Sequence, residues 1–150
     1  MTDPTKAGGL TLTGGGALAK TFRGLAESVR GAALEAATRS AALPVLNQVR
    51  ITVPQGGRTP YKSGTYRRGW HMETVEKSPD RCVVQIGNDQ PQSRRLELGF
   101  VGPDKLGRVY NQAPRPHVRP AFDENVERAK TEFRDAMAET VEREASKRAD

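Results

Sequence analysis

The sequence predicts a mixed α+β domain in which a short antiparallel sheet of three to five strands packs on a kinked N-terminal helix and a long C-terminal helix. Three patterns predict it. Apolar residues recur at helical spacing from Ala17 onward, they alternate as in strands between 70 and 87, and they return to helical spacing after Pro120. This order of helix, strands and helix indicates helices packed against a sheet.

Chain length and apolar content limit how the domain is organised. A chain of 150 residues has room for one core, so we assign residues 10–147 to a single domain, 1–9 to a flexible N-terminal arm and 148–150 to a tail. Leu, Ile, Val and Phe together number 28, about 19% of the chain. This lies near the roughly 20% level below which a chain buries too little apolar surface to fold alone. We therefore expect partner chains to complete the core.

The first helix is predicted from the steps of three and four between its apolar residues. Pro44 lacks a backbone donor and clashes with the preceding turn, so the helix should kink or restart near Leu43. Residues 10–13 alternate like a short strand ahead of it. The predicted apolar stripe comprises Leu18, Phe22, Leu25, Val29, Ala32 and Ala36 and continues with Val45, Leu46 and Val49.

A β-hairpin is predicted between the two helices, with a turn at 77–80. Leu96 and Leu98 flank Glu97, and this short apolar pair fits either a third strand or one helical turn. The apolar residues expected on the two hairpin strands are Trp70, Met72 and Thr74 on the first and Cys82, Val84 and Ile86 on the second.

Residues 99–116 form a long connection rich in Gly and Pro, with a short strand predicted at 108–110. Long loops in small domains are usually functional, so this one is the first candidate for an intersubunit arm. The final helix should begin with Pro120 at its first position and extend to about 147, roughly 40 Å. That exceeds what a small core covers, so its far end should meet another subunit. Its predicted apolar stripe is Phe122, Val126, Ala129, Phe133, Met137 and Val141.

Charge is divided unevenly along the chain. Residues 1–119 carry 18 Lys and Arg against 9 Asp and Glu, whereas 120–150 carry 6 against 9. Opposite signs favour head-to-tail contacts between copies. Three arginine pairs could contact either phosphates or acidic subunit surfaces, and we favour acidic surfaces, with at most weak, non-specific contact with DNA. The pairs are Arg67 with Arg68, Arg94 with Arg95, and Arg115 with Arg119.

The residues that usually carry catalysis are sparse. Cys82 stands alone, and with His71 and His117 it gives no zinc spacing and no nucleophile arrangement. Residues 14–21 approach a phosphate-binding loop, but Ala19 replaces its last glycine and no magnesium-binding strand follows. We therefore expect no enzyme activity, no cofactor and no metal. The absence of a long apolar run predicts a soluble protein without a membrane partner.

Three segments carry a family resemblance in their order. Residues 60–69 read Pro-Tyr-Lys-Ser-Gly-Thr-Tyr-Arg-Arg-Gly, residues 96–100 read Leu-Glu-Leu-Gly-Phe, and residues 114–122 read Pro-Arg-Pro-His-Val-Arg-Pro-Ala-Phe. Together they resemble the tail-completion or head-to-tail connector proteins of tailed phages, including the group related to the minor tail protein Z of lambda-type phages. The resemblance spans about residues 10–145.

This chain departs from the family pattern at a few positions. Tyr66 replaces the usual leucine, Gly69 the usual serine and His117 the customary aromatic residue. The connection at 100–113 is also longer than usual.

The resemblance implies a structural virion protein of the phage neck that assembles in the bacterial host cytoplasm. It would form a ring of six copies that joins tail to head around the DNA channel. Its partners would be other copies of itself, the head-closure protein, and the tail-terminator or tail-tube protein. Two alternatives stay open: another protein of the same neck, either the tail terminator or the head-closure protein, or a basic nucleic-acid-binding protein of a different class.

The residues of these motifs are interpreted as structural. Gly64 and Gly99 permit backbone conformations closed to other residues, and the prolines fix the chain direction into the last helix. Glu97 would be costly to bury alone, so we hypothesise an arginine partner at position 67, 68 or 119; the alternative is a solvated Glu. The candidate structural and intersubunit residues are Gly64, Arg67, Arg68, Glu97, Gly99, Phe100, Tyr110, Pro116, Arg119 and Pro120.

Overall fold

A computed structural model describes residues 27–53 and 64–149, together with positions 16, 20, 23 and 24. The N-terminal arm predicted at 1–9, the strand predicted at 10–13, the predicted stripe positions Leu18, Phe22 and Leu25, and residues 60–63 of the motif at 60–69 lie outside these residues. The elements in chain order are α1 (Glu27–Thr52), α2 (Thr65–Arg68), β1 (His71–Lys77), β2 (Cys82–Gly87), α3 (Ser93–Leu98), β3 (Phe100–Pro103), β4 (Val109–Gln112) and α4 (Val118–Ala149).

Helix α1 continues through Pro44 without interruption, so the predicted restart near Leu43 is wrong. A proline inside a helix costs about 3 kcal/mol because one hydrogen bond is lost. The residues that follow it, Val45, Leu46 and Val49, are buried as predicted, and their burial offsets that cost. A bend at this point stays a prediction.

In the first half of α1, the buried stripe lies one position later in the sequence than predicted. Ala33 and Ala37 are buried, whereas Ala32 and Ala36 are exposed. A step of four residues overshoots one helical turn by about 40°, so the stripe winds around the helix. This winding lets α1 pack on both α4 and the first hairpin. The residues that recur at this step are Ala33, Ala37, Ala41, Val45, Val49 and Val53.

Helix α4 lies antiparallel to α1. The hydroxyl of Thr52 donates to the carbonyl of His117 at 3.5 Å, and the Gln48 amide donates to the Glu124 carboxylate at 3.3 Å. The C-terminal end of α1 therefore meets the N-terminal end of α4. The 32 residues of α4 span about 48 Å. Neither long helix, nor any other helix in the described part of the chain, is long and apolar enough to cross a membrane.

The start and apolar face of α4 differ partly from the predicted ones. The helix begins at Val118, so Pro120 is its third residue and still lies in the first turn, where a backbone donor is not needed. Phe122 is 39% exposed, whereas its neighbour Ala121 is fully buried, so the stripe was wrongly placed there. Further along, the stripe is confirmed by three buried residues: Ala129, Met137 and Val141.

The first hairpin pairs β1 with β2 as predicted. Met72 lies opposite Ile86 and Thr74 opposite Val84, with a bulge after Thr74. The hairpin is attached to α1 through Glu35, whose carboxylate accepts hydrogen bonds from the Thr74 hydroxyl at 2.9 Å and the Lys77 ammonium at 2.6 Å. The predicted packing of this hairpin on the first helix is confirmed.

The strands β3 and β4 form a second, separate hairpin. The described residues thus contain two sheets of two strands each, and a single sheet of three to five strands is not observed. The loop predicted at 99–116 is largely this hairpin, and Leu96 and Leu98 belong to helix α3. Gly102 and Pro103 occupy half of β3, and both residue types weaken the sequence signal of a strand.

The main core lies where the two helices, α2 and the first hairpin meet. Met72 and Ile86 of that hairpin pack against it, as do Leu96 of α3 and Val118 of α4. Six of the described elements therefore contribute to one small cluster: α1, α2, β1, β2, α3 and α4. Its buried members are Val45, Leu46, Val49, Val53, Tyr66, Trp70 and Ala121.

Substitutions at two neighbouring alanines test which face of α1 is buried. Ala37→Leu should lower the free energy of unfolding by about 1–3 kcal/mol, because the fully buried site has no room for three more carbons. Ala36→Leu, on the exposed side, should change it by less than about 0.5 kcal/mol. Urea unfolding followed by circular dichroism measures both. Equal losses would contradict the buried face described above.

Candidate interaction surface

The N-terminus of α4 is capped by Glu97, which lies about twenty residues earlier in the chain. One carboxylate oxygen accepts the backbone N–H groups of His117 at 2.8 Å and Val118 at 3.1 Å, and the other accepts that of Arg119 at 3.1 Å. The first N–H groups of a helix have no partner within it, and the positive end of the helix dipole favours a carboxylate there. Glu97 therefore fixes both the start of α4 and the position of α3 beside it.

The predicted arginine partner of Glu97 is wrong. In the described part of the chain, the only basic side chain within 4 Å of the Glu97 carboxylate is His117, whose Nδ1 lies 3.2 Å away, and the guanidinium groups of Arg67, Arg68 and Arg119 do not reach it. Burial raises the pKa of Glu97, but the three backbone donors and the His117 ring outweigh burial and hold the pKa below its ordinary 4.5. Three convergent donors satisfy the carboxylate without a guanidinium group.

His117 connects Glu97 to Tyr66. Its Nδ1 lies 3.0 Å from the carbonyl of Arg115, which can only accept, so Nδ1 carries a proton. In the neutral ring, Nε2 then accepts the hydroxyl of Tyr66 at 3.0 Å. Only 2% of His117 is exposed, and burial raises the pKa of Tyr66. The Tyr66 and His117 side chains in this chain of hydrogen bonds are buried, and the chain positions the three segments.

Trp70 completes this cluster, which we call the hub: Tyr66, Trp70, Glu97 and His117. The three rings meet edge to face, with centroids 5.5–5.9 Å apart. Such pairs contribute about 0.5–1.5 kcal/mol beyond the burial of area. The hub brings together all three motif segments of the sequence, because Tyr66 belongs to the first, Glu97 to the second and His117 to the third.

The second hairpin, residues 100–112, is called the arm, and Gly99 connects it to the hub. Gly99 has a φ of +76°, and a Cβ at this position would lie 2.9 Å from the carbonyl oxygen of Gln112 and 3.0 Å from the nitrogen of Pro114. Only glycine fits both constraints. The Arg115 N–H donates to the carbonyl of Leu96 at 2.6 Å and closes the base of the arm. Gly64, at φ +100°, likewise confirms its prediction.

The arm exposes large apolar side chains. Val101 and Val109 share one face and are 74% and 77% exposed, and Leu106 at the tip is 76% exposed. On the other face, the guanidinium of Arg95 stacks 4.4 Å from the centroid of the Phe100 ring, and Tyr110 is half exposed. This apolar surface stands away from the main core.

The arm is nevertheless internally ordered. The Asp104 carboxylate accepts the backbone N–H groups of Leu106 at 2.8 Å and Arg108 at 2.9 Å, together with the Arg108 guanidinium at 2.6 Å. These donors, the Arg108 N–H foremost, lower the pKa of Asp104. The tip turn is therefore fixed before any partner is bound.

Six exposed arginines lie close in sequence to the hub residues, on α2, on α3, in the segment entering α4 and in its first turn, and we call them the arginine surface. The structure gathers them because α2, α3 and the start of α4 all meet at the hub. Among the described residues, none of the six forms an ion pair within 4 Å. They are Arg67, Arg68, Arg94, Arg95, Arg115 and Arg119.

The remaining predicted site residues have structural positions. Pro116 is exposed in the segment entering α4, and Pro120 is half-buried in its first turn. A shallow cavity of about 160 Å³ lies between α1 and α4, beside Pro44 and Asn125, and it includes no hub residue.

Sequence reasoning identified Glu97 and His117 but missed their contact with each other and with Tyr66. A capping box has its acidic residue three positions into the helix, whereas Glu97 lies outside α4 altogether. The Tyr66 and His117 contact spans 51 positions, and no periodicity connects residues so far apart. The only available signal was that Tyr66 and His117 both depart from the resembled pattern, Tyr66 replacing a leucine and His117 an aromatic residue.

Comparison of the chain with protein-family models, curated proteins and solved structures finds no match. The family resemblance therefore rests on the three short motif segments and on their order. Those segments meet at the hub.

The cap predicts a specific dependence of stability on pH. Because the folded-state pKa of Glu97 lies below its ordinary 4.5, the carboxylate stabilises the fold above pH 4.5, and this contribution is lost as pH falls through the folded-state pKa. Glu97→Gln should cost about 1–2 kcal/mol at pH 7 and should reduce this loss in acid. Glu73→Gln, at an exposed position of β1, is the control. Urea unfolding between pH 7 and pH 3 measures both variants, and identical pH profiles would contradict the cap.

The stability cost of steric crowding at Gly99 can be separated from the cost of its positive φ by comparison with a second glycine. Gly107, at the tip, has a nearly identical φ of +78° but no atom near its would-be Cβ. Gly107→Ala should cost about 1 kcal/mol, from strain alone. Gly99→Ala should cost about 1–3 kcal/mol more, because the methyl group meets backbone atoms. Equal losses in urea unfolding would show that the base of the arm is not crowded.

Proposed function

We propose that this chain is a structural, non-enzymatic subunit of a tailed-phage neck, a tail-completion or head-to-tail connector protein. Six copies would form a ring that joins tail to head around the DNA channel. The observation that carries the proposal is the arm: an ordered hairpin with a largely exposed apolar face, built on a base of close backbone contacts.

An apolar arm on an isolated chain is unfavourable without a partner. Leu106 and the two valines of its outer face leave most of their surface in water, and a two-stranded hairpin is marginally stable by itself. The outer edges of β3 and β4 carry unpaired backbone donors and acceptors, which can add a strand from a neighbouring molecule. Burial in a neighbouring subunit satisfies both the apolar face and these edges.

The contact between Tyr66 and His117 supports the resemblance. The resembled pattern has leucine and an aromatic residue at these two positions, and this chain departs from it at both. The two departures contact each other through a hydrogen bond of 3.0 Å inside the hub. A buried polar residue at one position needs a polar partner at the other, so the paired change keeps the same junction.

The partners of the proposed ring follow from its place in the particle. It would contact the head-closure protein on one side and the tail-terminator or tail-tube protein on the other. DNA passing through the channel would meet at most weak, non-specific basic contacts, because tight binding would hinder transit. The subunit would be found in the virion neck after assembly in the bacterial cytoplasm.

The function is tested by imaging particles produced without this chain. Unjoined heads and tails are the expected result, and complementation with the intact chain should restore joined particles. Normally joined, infectious virions in the absence of the chain would overturn the proposed function.

The role of the arm is tested with the variant Val101→Ser/Val109→Ser. Both side chains are mostly exposed, so folding should be unaffected. Losing two buried valines should weaken each intersubunit contact by about 3 kcal/mol, roughly a hundredfold in the association constant. Joined particles counted in the complementation assay should fall accordingly.

The matched control for the arm is Val75→Ser, which changes an exposed valine on the bulge of the first hairpin. It should restore joining as well as the unchanged chain does. Full joining by the double arm variant, with circular dichroism showing native folding, would exclude the arm as the docking element.

A further inference from the structure

The arginine surface carries positive charge that nothing in the described part of the chain neutralises. Its six side chains are exposed on α2, on α3, and before and at the start of α4, and the carboxylate of Glu97 at the hub is occupied by backbone N–H groups. Placing so many like charges together is unfavourable in an isolated subunit. An acidic partner would remove this cost.

An acidic stripe lies on the C-terminal half of α4, and its charge is opposite in sign to that of the arginine surface. Asp135, Glu139 and Glu142 are four and three residues apart, so they share one helix face, and all three are exposed. No described cation lies within 4 Å of any of them. Asp135 and Glu139, four residues apart, repel each other, and Arg143, four residues after Glu139, forms no ion pair within 4 Å with any of the three, so the stripe has carboxylates open to a partner.

The two surfaces cannot neutralise each other within one chain. Arg119 and Glu139 are twenty residues apart on the same helix, about 30 Å at 1.5 Å per residue. A rigid helix keeps them apart, but a second copy can present its stripe to the arginine surface of the first. Such a contact joins two different patches, so it repeats head to tail and closes into a ring when the rotation between subunits allows.

We propose that the arginine surface of one copy binds the acidic stripe formed by Asp135, Glu139 and Glu142 of the next copy. This inference rests on the proposed function, because it specifies the contact by which the ring is built. Guanidinium groups hold carboxylates through paired hydrogen bonds and fix the relative orientation of two surfaces.

The arm forms part of the same interface. The guanidinium of Arg95 stacks on Phe100 at 4.4 Å, so the arginine surface continues directly onto the arm. The basic surface therefore continues onto the face of the arm that carries Phe100 and Tyr110, whereas Val101 and Val109 lie on its opposite face. Val101 and Val109, exposed on that opposite face, fit a protein partner better than a nucleic acid, whose phosphate backbone offers them no apolar surface.

The contact is tested by reversing charge on each side separately. Variant A carries Glu139→Arg and Glu142→Arg, and variant B carries Arg67→Glu and Arg68→Glu. Sedimentation velocity of the full chain in about 50 mM salt should show wild-type oligomers, whereas A alone and B alone should associate roughly a hundredfold more weakly. An equimolar mixture of A and B should regain oligomers, because each reversed surface then meets a complementary one.

Controls separate this contact from a general effect of charge. Glu73→Arg with Glu76→Arg reverses two exposed carboxylates on β1 of the first hairpin and should leave association unchanged. A wild-type chain that stays monomeric at about 0.5 mM in low salt, or a mixture that fails to recover, would overturn the contact. Circular dichroism confirms that each variant is folded.

Duplex DNA of about 20 base pairs serves as the probe for the rival partner. If DNA binding is lost in variant B while its self-association is unchanged, the arginine surface binds nucleic acid and the proposed contact is wrong. That outcome leaves the neck function standing, since that function fails only if virions join normally without the chain.

Discussion

Three backbone N–H groups at the start of α4 converge on the carboxylate of Glu97, and the arrangement of the other elements follows from this contact. It decides where the longest helix begins and therefore how that helix aligns with α1. It also places His117 against Tyr66 and holds α3 beside the entry to α4. A helix start that is buried on one side needs such a partner, because unsatisfied N–H groups there cost more than a hydrogen bond contributes.

The long elements could be predicted from the sequence because periodicity over many residues is a strong signal. The helices and the pairing of β1 with β2 were recognised in this way. Local detail was not, since alanine stands at 32, 33, 36 and 37, and hydropathy cannot choose between two adjacent alanine pairs. The arm was not predicted as a hairpin, because its strands have only four residues each and β3 contains glycine and proline.

The residues of the candidate site were identified from the sequence, but the contacts between them were not. Glu97 was expected to find an arginine, because a sequence displays side-chain charges and does not display backbone donors. A carboxylate that caps a helix from outside can precede it by any number of residues, so spacing gives no signal. Gly64 and Gly99 were easier, since a residue type that permits positive φ is itself the signal.

The arm, the arginine surface and the hub act as one preorganised unit. Asp104 fixes the tip, Gly99 and Arg115 fix the base, and Arg95 joins the arm to the arginines through Phe100. A surface that is already ordered loses little conformational entropy on binding, so a modest apolar area suffices for a stable contact. The small core is consistent with the proposed assembly: the chain has enough apolar residues to build the main core, and the apolar residues left exposed on the arm are those that a neighbouring subunit would bury.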